Sequence, residues 1–366
     1  MRKVYLDFIK DRLTKRDFRW LFSRGMQYVL THASFLVRRP LCGPILGTLV
    51  TNYTCNFKCG MCDLRLRDRE LREKGLRELD TAAMKQILRD FARLGTPGIG
   101  FTGGEPLLRK DIFELLAYAK ALGMITHLNT NGYFLDDKAV DNILKAGVDS
   151  LNISLDGARS ATHDAIRGFS GAFDRAIDAI GRICAARDKA GAHLRIKTVA
   201  VINEENVDEV EDMVTLAEEL KVDCIEFIPR QAFSGNRSKS DAADPVFLGK
   251  TDKMRDYLLG LDAGRIRIEN SPAHLKLFNR SFRNMESPLK CFAGYNSLAI
   301  DCYGEIYPCV PWYNWRRAVG NINKTDLVAF WHSAEYQQIR KEIAGCRKCY
   351  LNCQAELNIL FNSFTR

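Results

Sequence analysis

No stretch of this chain approaches the roughly eighteen consecutive apolar residues of a membrane span, so no segment is expected to cross a bilayer. A secretory signal is not expected either, because Lys, Arg and Asp interrupt every apolar stretch in residues 1–30. Acidic residues are in deficit, 45 against 54 Lys/Arg, but the imbalance is local. Residues 1–40 hold ten Lys/Arg and three Asp/Glu, which leaves a net charge of only +2 on the other 326. That remainder lacks the extended basic surface that nucleic-acid recognition needs. Composition excludes disorder: with 46% hydrophobic residues, 366 residues can bury a large core, divided between one large domain and a smaller one. With no export signal expected, the twelve cysteines, eight of them in two clusters, read as a reduced set with thiolate-bound metal in the cytoplasm and not as a disulfide framework.

A further shortage is of ligands. Cys55, Cys59 and Cys62 form a C-x3-C-x2-C loop, one thiolate short of any four-ligand site. Tetrahedral structural zinc wants four protein ligands. A cubane 4Fe-4S cluster takes one per iron, so three thiolates leave the fourth iron open to a small molecule. The spacing alone leaves both readings open.

Short apolar segments alternate with amphipathic helical stretches between residues 46 and 230. Strands are predicted at 46–53, 98–101, 124–128, 150–154, 194–201 and 223–228. Between them lie helical faces such as Met84, Ile87, Leu88, Phe91 and Leu94. Six such units predict an α/β fold whose parallel strands form a partial (β/α)6 barrel. Active sites of parallel barrels collect at the C-terminal strand ends. The cysteine loop, Gly103-Gly104-Glu105-Pro106, Asn129-Thr130-Asn131-Gly132 and Leu155-Asp156-Gly157 follow the first four strands, so all four motifs should share one rim.

The cysteine loop followed by Thr102-Gly103-Gly104-Glu105-Pro106 resembles the radical S-adenosylmethionine (radical SAM) superfamily over about residues 46–353. The resemblance implies that the open iron of a 4Fe-4S cluster on Cys55, Cys59 and Cys62 chelates SAM. Electron transfer from a flavodoxin or ferredoxin then cleaves SAM to a 5′-deoxyadenosyl radical that abstracts a substrate hydrogen. It also implies SAM contacts from Gly103, Gly104 and Glu105, from Asn129, and from Ser154 and Arg167 for the carboxylate, with Asn203 a candidate for the ribose or adenine. Turn and cap chemistry accounts equally well for Asn129, Asn131 and Asn203. The family often has an aromatic residue before the third cysteine; Met61 stands there.

After a stretch, about 233–288, that reads as less ordered, being rich in Ser, Asn and Asp and punctuated by Pro245, Pro272 and Pro288, come Cys291, the hairpin pattern Asp301–Cys309, Cys346-Arg347-Lys348-Cys349 and Cys353. This resembles the SPASM/Twitch extension of radical SAM enzymes and implies one auxiliary 4Fe-4S cluster on Cys291, Cys309, Cys346 and Cys349. Cys353 is left to replace one of them or to serve an incomplete second site. Cys184 and Cys224 lie on apolar stripes and read as core. The expected division is a basic amphipathic helical extension (1–45), a radical SAM barrel (46–232), a linker (233–288) and a small C-terminal SPASM/Twitch-like cluster domain (289–366).

An electron-accepting auxiliary cluster favours an oxidation or bond-forming outcome. Related sulfatase maturases carry an Asp directly after the hairpin cysteine, and Val310 disfavours that substrate. At the N-terminus, Val4 and Phe8, then Phe18, Leu21, Phe22, Met26, Val29 and Leu30 recur at near-helical spacing, with Gly25 and Pro40 as interruptions. Such a helix either packs on the barrel or lies on an anionic membrane surface through residues 1–40. The expected substrate is a lipid, a sugar or another small metabolite. A peptide is the alternative within the superfamily, and a non-catalytic metal-binding docking protein is the reading outside it. Lys197, Glu226 and Arg230 either line the pocket or pair across barrel units.

Overall fold

The computed structural model describes residues 13–14, 17–230, 244–262, 264–314 and 317–362. Its centre is one nine-stranded sheet in the order β6-β5-β4-β3-β2-β1-β7-β8-β9. The strands are β1 Leu46–Val50, β2 Gly98–Thr102, β3 Ile125–Thr130, β4 Ser150–Ser154, β5 Arg195–Ile202, β6 Cys224–Pro229, β7 Ser297–Ile300, β8 Glu305–Tyr307 and β9 Gly320–Asn321. The first six are parallel, joined by five crossovers whose helices bury apolar faces against the sheet. In helix Thr81–Arg93 that face is Met84, Ile87, Leu88 and Phe91.

The sheet is open, as expected of a partial barrel, and it continues past the barrel. β7 pairs in parallel with β1, and β8 and β9 follow antiparallel. The C-terminal hairpin therefore extends the barrel sheet at its β1 edge. β6 and β7 are six strand spacings apart in this order, about 29 Å if the sheet were flat. Yet helix Asn352–Asn362 bonds both. Asn352 Nδ2 donates to Glu226 Oε1 (2.7 Å) and to the Phe227 carbonyl (3.0 Å), while Gln354 Oε1 accepts from Ser297 Oγ (2.6 Å). Two residues of one helix reach both strands only because the sheet is curled, and this helix fills the seam that backbone pairing leaves unclosed.

Two expectations are corrected. The stretch after Pro229 is not loosely ordered where it is described. Pro245–Gly260, Pro272–Leu275 and Phe278–Phe282 are helices that bury Phe247, Met254, Leu258, Leu275, Phe278 and Phe282, and Ile268 bridges to Ile225 on β6. Residues 231–243 lie outside the described residues. At the N-terminus, helix Phe18–Val37 runs through Gly25 without interruption. It is capped by the Asp17 carboxylate, which accepts from Trp20 N (3.1 Å). It lies at the N-terminal ends of the strands. Gln27 Nε2 donates to the carbonyls of Gly43, Pro44 and Gly95, just before β1 and β2, and Phe35 stacks on Phe292, just before β7. Val4 and Phe8, placed on the same helical pattern, lie outside the described residues.

Candidate functional site

At the opposite, C-terminal strand ends, backbone contacts seat the cysteine loop. The Gly104 N–H donates to the Asn52 carbonyl (2.9 Å) and the Glu105 N–H to the Thr54 carbonyl (2.9 Å), while Asn52 Nδ2 returns a bond to the Glu105 carbonyl (2.9 Å). A Cβ at Gly104 would stand 2.2 Å from the Thr54 carbonyl oxygen, and one at Gly103 would stand 2.5 Å from that of Asn52. Glycine is required because the second-strand turn lies flat against the chain entering Cys55.

The Glu105 carboxylate is fully buried and accepts from Leu107 N (3.0 Å), Thr130 Oγ1 (2.8 Å) and Asn131 N (2.7 Å). Burial pushes its pKa up to about 7 against those donors. Its acceptor capacity goes into joining the turns after β2 and β3. Asn131 Nδ2 continues the chain to Asn56 Oδ1 (2.8 Å), inside the cysteine loop.

Arg167 closes the loop from the other side. Its carbonyl accepts from Lys58 N (3.3 Å), its Nη1 lies 3.9 Å from Cys59 Sγ, and its Nη2 pairs with buried Asp156 (2.6 Å). Asp156 also accepts from Val201 N (2.7 Å), and its own N–H donates to His163 Nδ1 (3.0 Å). Gly168, at φ +60°, has Lys58 O where a Cβ would go, at 2.5 Å. Phe57 packs under the loop against Tyr133 and Phe169.

The other expected SAM contacts lie at the ends of β3, β4 and β5. Asn129 shares a hydrogen bond with Asn152 (2.8 Å), and Ser154 is half-buried as the last residue of β4. Asn203 closes a turn after β5, its Oδ1 accepting from Glu205 N (2.8 Å) while its own N–H donates to Asn206 Oδ1 (2.9 Å). Lys197 and Glu226 pair with each other inside the sheet, and Glu226 is pulled down to about 2 with Lys197 as the lowering partner, against burial that raises it. Arg230 is ion-paired with Glu204 (2.9 Å).

The second cysteine group is assembled from three distant segments. The Cys291 thiol hydrogen-bonds Cys346, and Cys309, Cys349 and Cys353 lie within electrostatic range of one another. Cys353, at the start of the seam helix, thus belongs spatially with the four cysteines expected to hold an auxiliary cluster. Hydrogen bonding to Cys291 pulls the Cys346 thiol down to about 6, and burial drives Cys309 and Cys349 up. Cys302 stands apart beside Asp301, and Cys184 and Cys224 are core residues.

Arg67, shortly after Cys62, ties the two cysteine groups together. Its Nη1 donates to the Tyr313 carbonyl (2.7 Å), its Nη2 pairs with Asp301 (3.4 Å), and its plane faces Tyr53, Tyr307 and Tyr313. Sequence reading did not find Arg67 or Gly168, because their partners, Tyr313 for one and Lys58 for the other, lie far away along the chain. For Asp156 the Leu155-Asp156-Gly157 turn was the available signal, but the turn alone did not point to Arg167.

Among the described residues no three Cys, His, Asp or Glu side chains are tight enough to hold a single metal ion. A cluster spreads its thiolates over several irons. Soft thiols with N–H donors turned on them, Phe57 N on Cys55 (3.4 Å) and Arg167 on Cys59, fit such a group.

The family model for the radical SAM superfamily matches residues 49–217, and that for the SPASM iron-sulfur cluster-binding domain matches 291–353. The Fe-coproporphyrin III synthase of Methanosarcina barkeri is 35% identical over 76% of this chain and 71% of its own. The PqqA peptide cyclase of Rhodopseudomonas palustris is 27% identical over 73% and 67%. Among solved structures, Streptococcus suis SuiB bound to its precursor peptide SuiA superposes with a TM-score of 0.64, at 19% identity over 92% of this chain and 80% of that one.

Proposed function

Because this chain belongs to the radical SAM superfamily and ends in a SPASM cluster domain, it is an enzyme, and we propose that it oxidises a soluble iron tetrapyrrole by abstracting a side-chain hydrogen. The observation that carries the substrate class is the 35% identity to Fe-coproporphyrin III synthase over 76% of this chain. When bound, a 4Fe-4S cluster with SAM, reduced by a flavodoxin or ferredoxin, supplies a 5′-deoxyadenosyl radical, and an auxiliary cluster supplies an electron acceptor.

The chain's own residues bind and position. Cys55, Cys59 and Cys62 would hold the first cluster, and Cys291, Cys309, Cys346 and Cys349 the auxiliary one, with Cys353 within reach of it. Arg167, held by its ion pair with Asp156, presents Nη1 3.9 Å from Cys59 Sγ as a donor to that sulfur. Gly103, Gly104 and Gly168 let the backbone close around the loop. A lipid substrate is disfavoured by the position of helix Phe18–Val37, which lies at the strand ends opposite the rim. A membrane met through that helix would not deliver a lipid to the site.

A peptide substrate is the second reading, supported by the similarity to a peptide cyclase. Anaerobic reconstitution with iron and sulfide, then reduction with SAM, should yield 5′-deoxyadenosine, and Cys59→Ala should abolish it. Iron tetrapyrrole precursors of iron coproporphyrin, deuterated on their side chains, should raise the yield and transfer deuterium to the 5′-deoxyadenosine. No deuterium transfer from any tetrapyrrole tried, with transfer from a peptide, would replace the first reading by the second.

A further inference from the structure

Helix Phe18–Val37 is mounted with its apolar stripe outward. The face against the barrel is Gln27, Thr31, Ser34 and Phe35, all buried. Opposite them Phe18, Phe22, Met26, Val29 and Leu36 recur every third, fourth or seventh residue, and they are 63%, 71%, 42%, 59% and 70% exposed. Scattered exposed apolar residues are ordinary, but a contiguous stripe over about five turns marks a contact surface.

We propose that this face docks in the interface of an anionic lipid membrane, with the apolar side chains among the acyl chains and the flanking arginines on lipid phosphates. The helix is too polar overall to span a bilayer, as no helix among the described residues is long and apolar enough to do so. It has the build of one that lies in the interface. Charge chooses among the possible occupants. Arg19 near one end and Arg38 and Arg39 at the other are exposed. They belong to a 40-residue segment with ten Lys/Arg against three Asp/Glu, while the rest of the chain is close to neutral. Two copies meeting through this face would bring like charges together, whereas anionic headgroups neutralise them. The barrel end carrying the helix is the one away from the cysteine loop, so docking leaves the rim facing the aqueous phase.

The test is sedimentation of the reconstituted full-length protein with phosphatidylcholine vesicles, with and without phosphatidylglycerol, at low and high salt. Wild type should pellet with the anionic vesicles only, and less so at high salt, since screening shortens the reach of the arginines. Phe22→Asp/Val29→Asp should lower the partition coefficient about tenfold or more, Phe22→Leu/Val29→Leu should keep it, and both should retain substrate-free 5′-deoxyadenosine formation. The proposal is overturned if wild type stays in the supernatant with anionic vesicles, or if the Asp variant pellets as well as wild type. A wild-type dimer that the Asp variant disrupts, without vesicle binding, would assign the face to a second copy instead.

Discussion

A methyl group at position 104 has nowhere to go, because the Thr54 carbonyl oxygen would be 2.2 Å from it and its nearest neighbours are all backbone. Overpacking of this kind costs about 1–3 kcal/mol when the surroundings can shift, and here the part that must shift is the approach to Cys55. Gly104→Ala should therefore cut the iron retained at the first site and the substrate-free yield of 5′-deoxyadenosine, read together by iron analysis and chromatography. Gly25→Ala is the control: nothing lies within 4 Å of its Cβ, and mid-helix Ala should leave stability equal or raise it by about 1 kcal/mol. Gly103 and Gly104 were legible in the sequence as members of a cofactor turn, but the reason for them lies in a contact with Asn52 and Thr54, on the far side of a whole helical crossover. Gly168 carried no label of its own, and Asp156 was legible only as a member of a rim turn, without its partner. One is a left-handed helix cap pressed on Lys58, the other a buried partner for Arg167, and only tertiary structure brings either to the cysteine loop.

The seam helix Asn352–Asn362 stands where a closed barrel would have strand-to-strand hydrogen bonds. Gln354 uses both ends of its amide there, accepting from Ser297 Oγ and donating to Asn296 Oδ1 (3.1 Å) and Asn358 Oδ1 (2.9 Å), all buried. Gln354→Leu removes the partner of several buried polar atoms at once, each unsatisfied group costing about 1–3 kcal/mol. The variant should lose on the order of 3 kcal/mol and show faster protease cleavage within the last helix, checked by urea unfolding and limited proteolysis. An unchanged urea midpoint would mean that the helix is held by Leu357, Ile359 and Phe361 alone. The six parallel strands were legible because each is a short apolar run between turn residues, and their predicted ends fall within about three residues of those observed. The segment from Asp244 to Phe282 was misread for a physical reason: Pro245 and Pro272 are first-turn residues of helices whose N-caps are Asp244 and Ser271, and capping signals were taken for breaks. Pairing of β7 with β1 sets Leu46 beside Ser297, across nearly the whole barrel sequence, and left no local trace.

Over the whole molecule, stability against pH is set by buried groups that pull in opposite directions. Burial, with Arg167 adding to it, pushes the His163 pKa down to about 3, and His163 has no exposed surface. Its Nδ1 accepts from Asp156 N, so the neutral ring is the form that fits. A histidine lowered from the ordinary value of about 6.5 contributes stability that is present above that value and is lost as pH falls toward 3. Glu105, raised to about 7, has the opposite sign: its contribution is present below about 4.5 and is lost as pH rises toward 7. Between about pH 5 and about pH 6.5 the two slopes oppose each other, and single variants separate them. His163→Asn keeps an acceptor near the Nδ1 position but cannot titrate. Relative to it, wild type should lose about 2 kcal/mol on going from about pH 8 to about pH 5, the cost of about 1.5 pH units below the unfolded value. Glu105→Gln should show the reverse, with wild type gaining on the variant as pH falls. Unfolding midpoints of the three proteins at the two pH values decide it: parallel curves for wild type and His163→Asn would mean that His163 protonates without leaving its place beside Asp156.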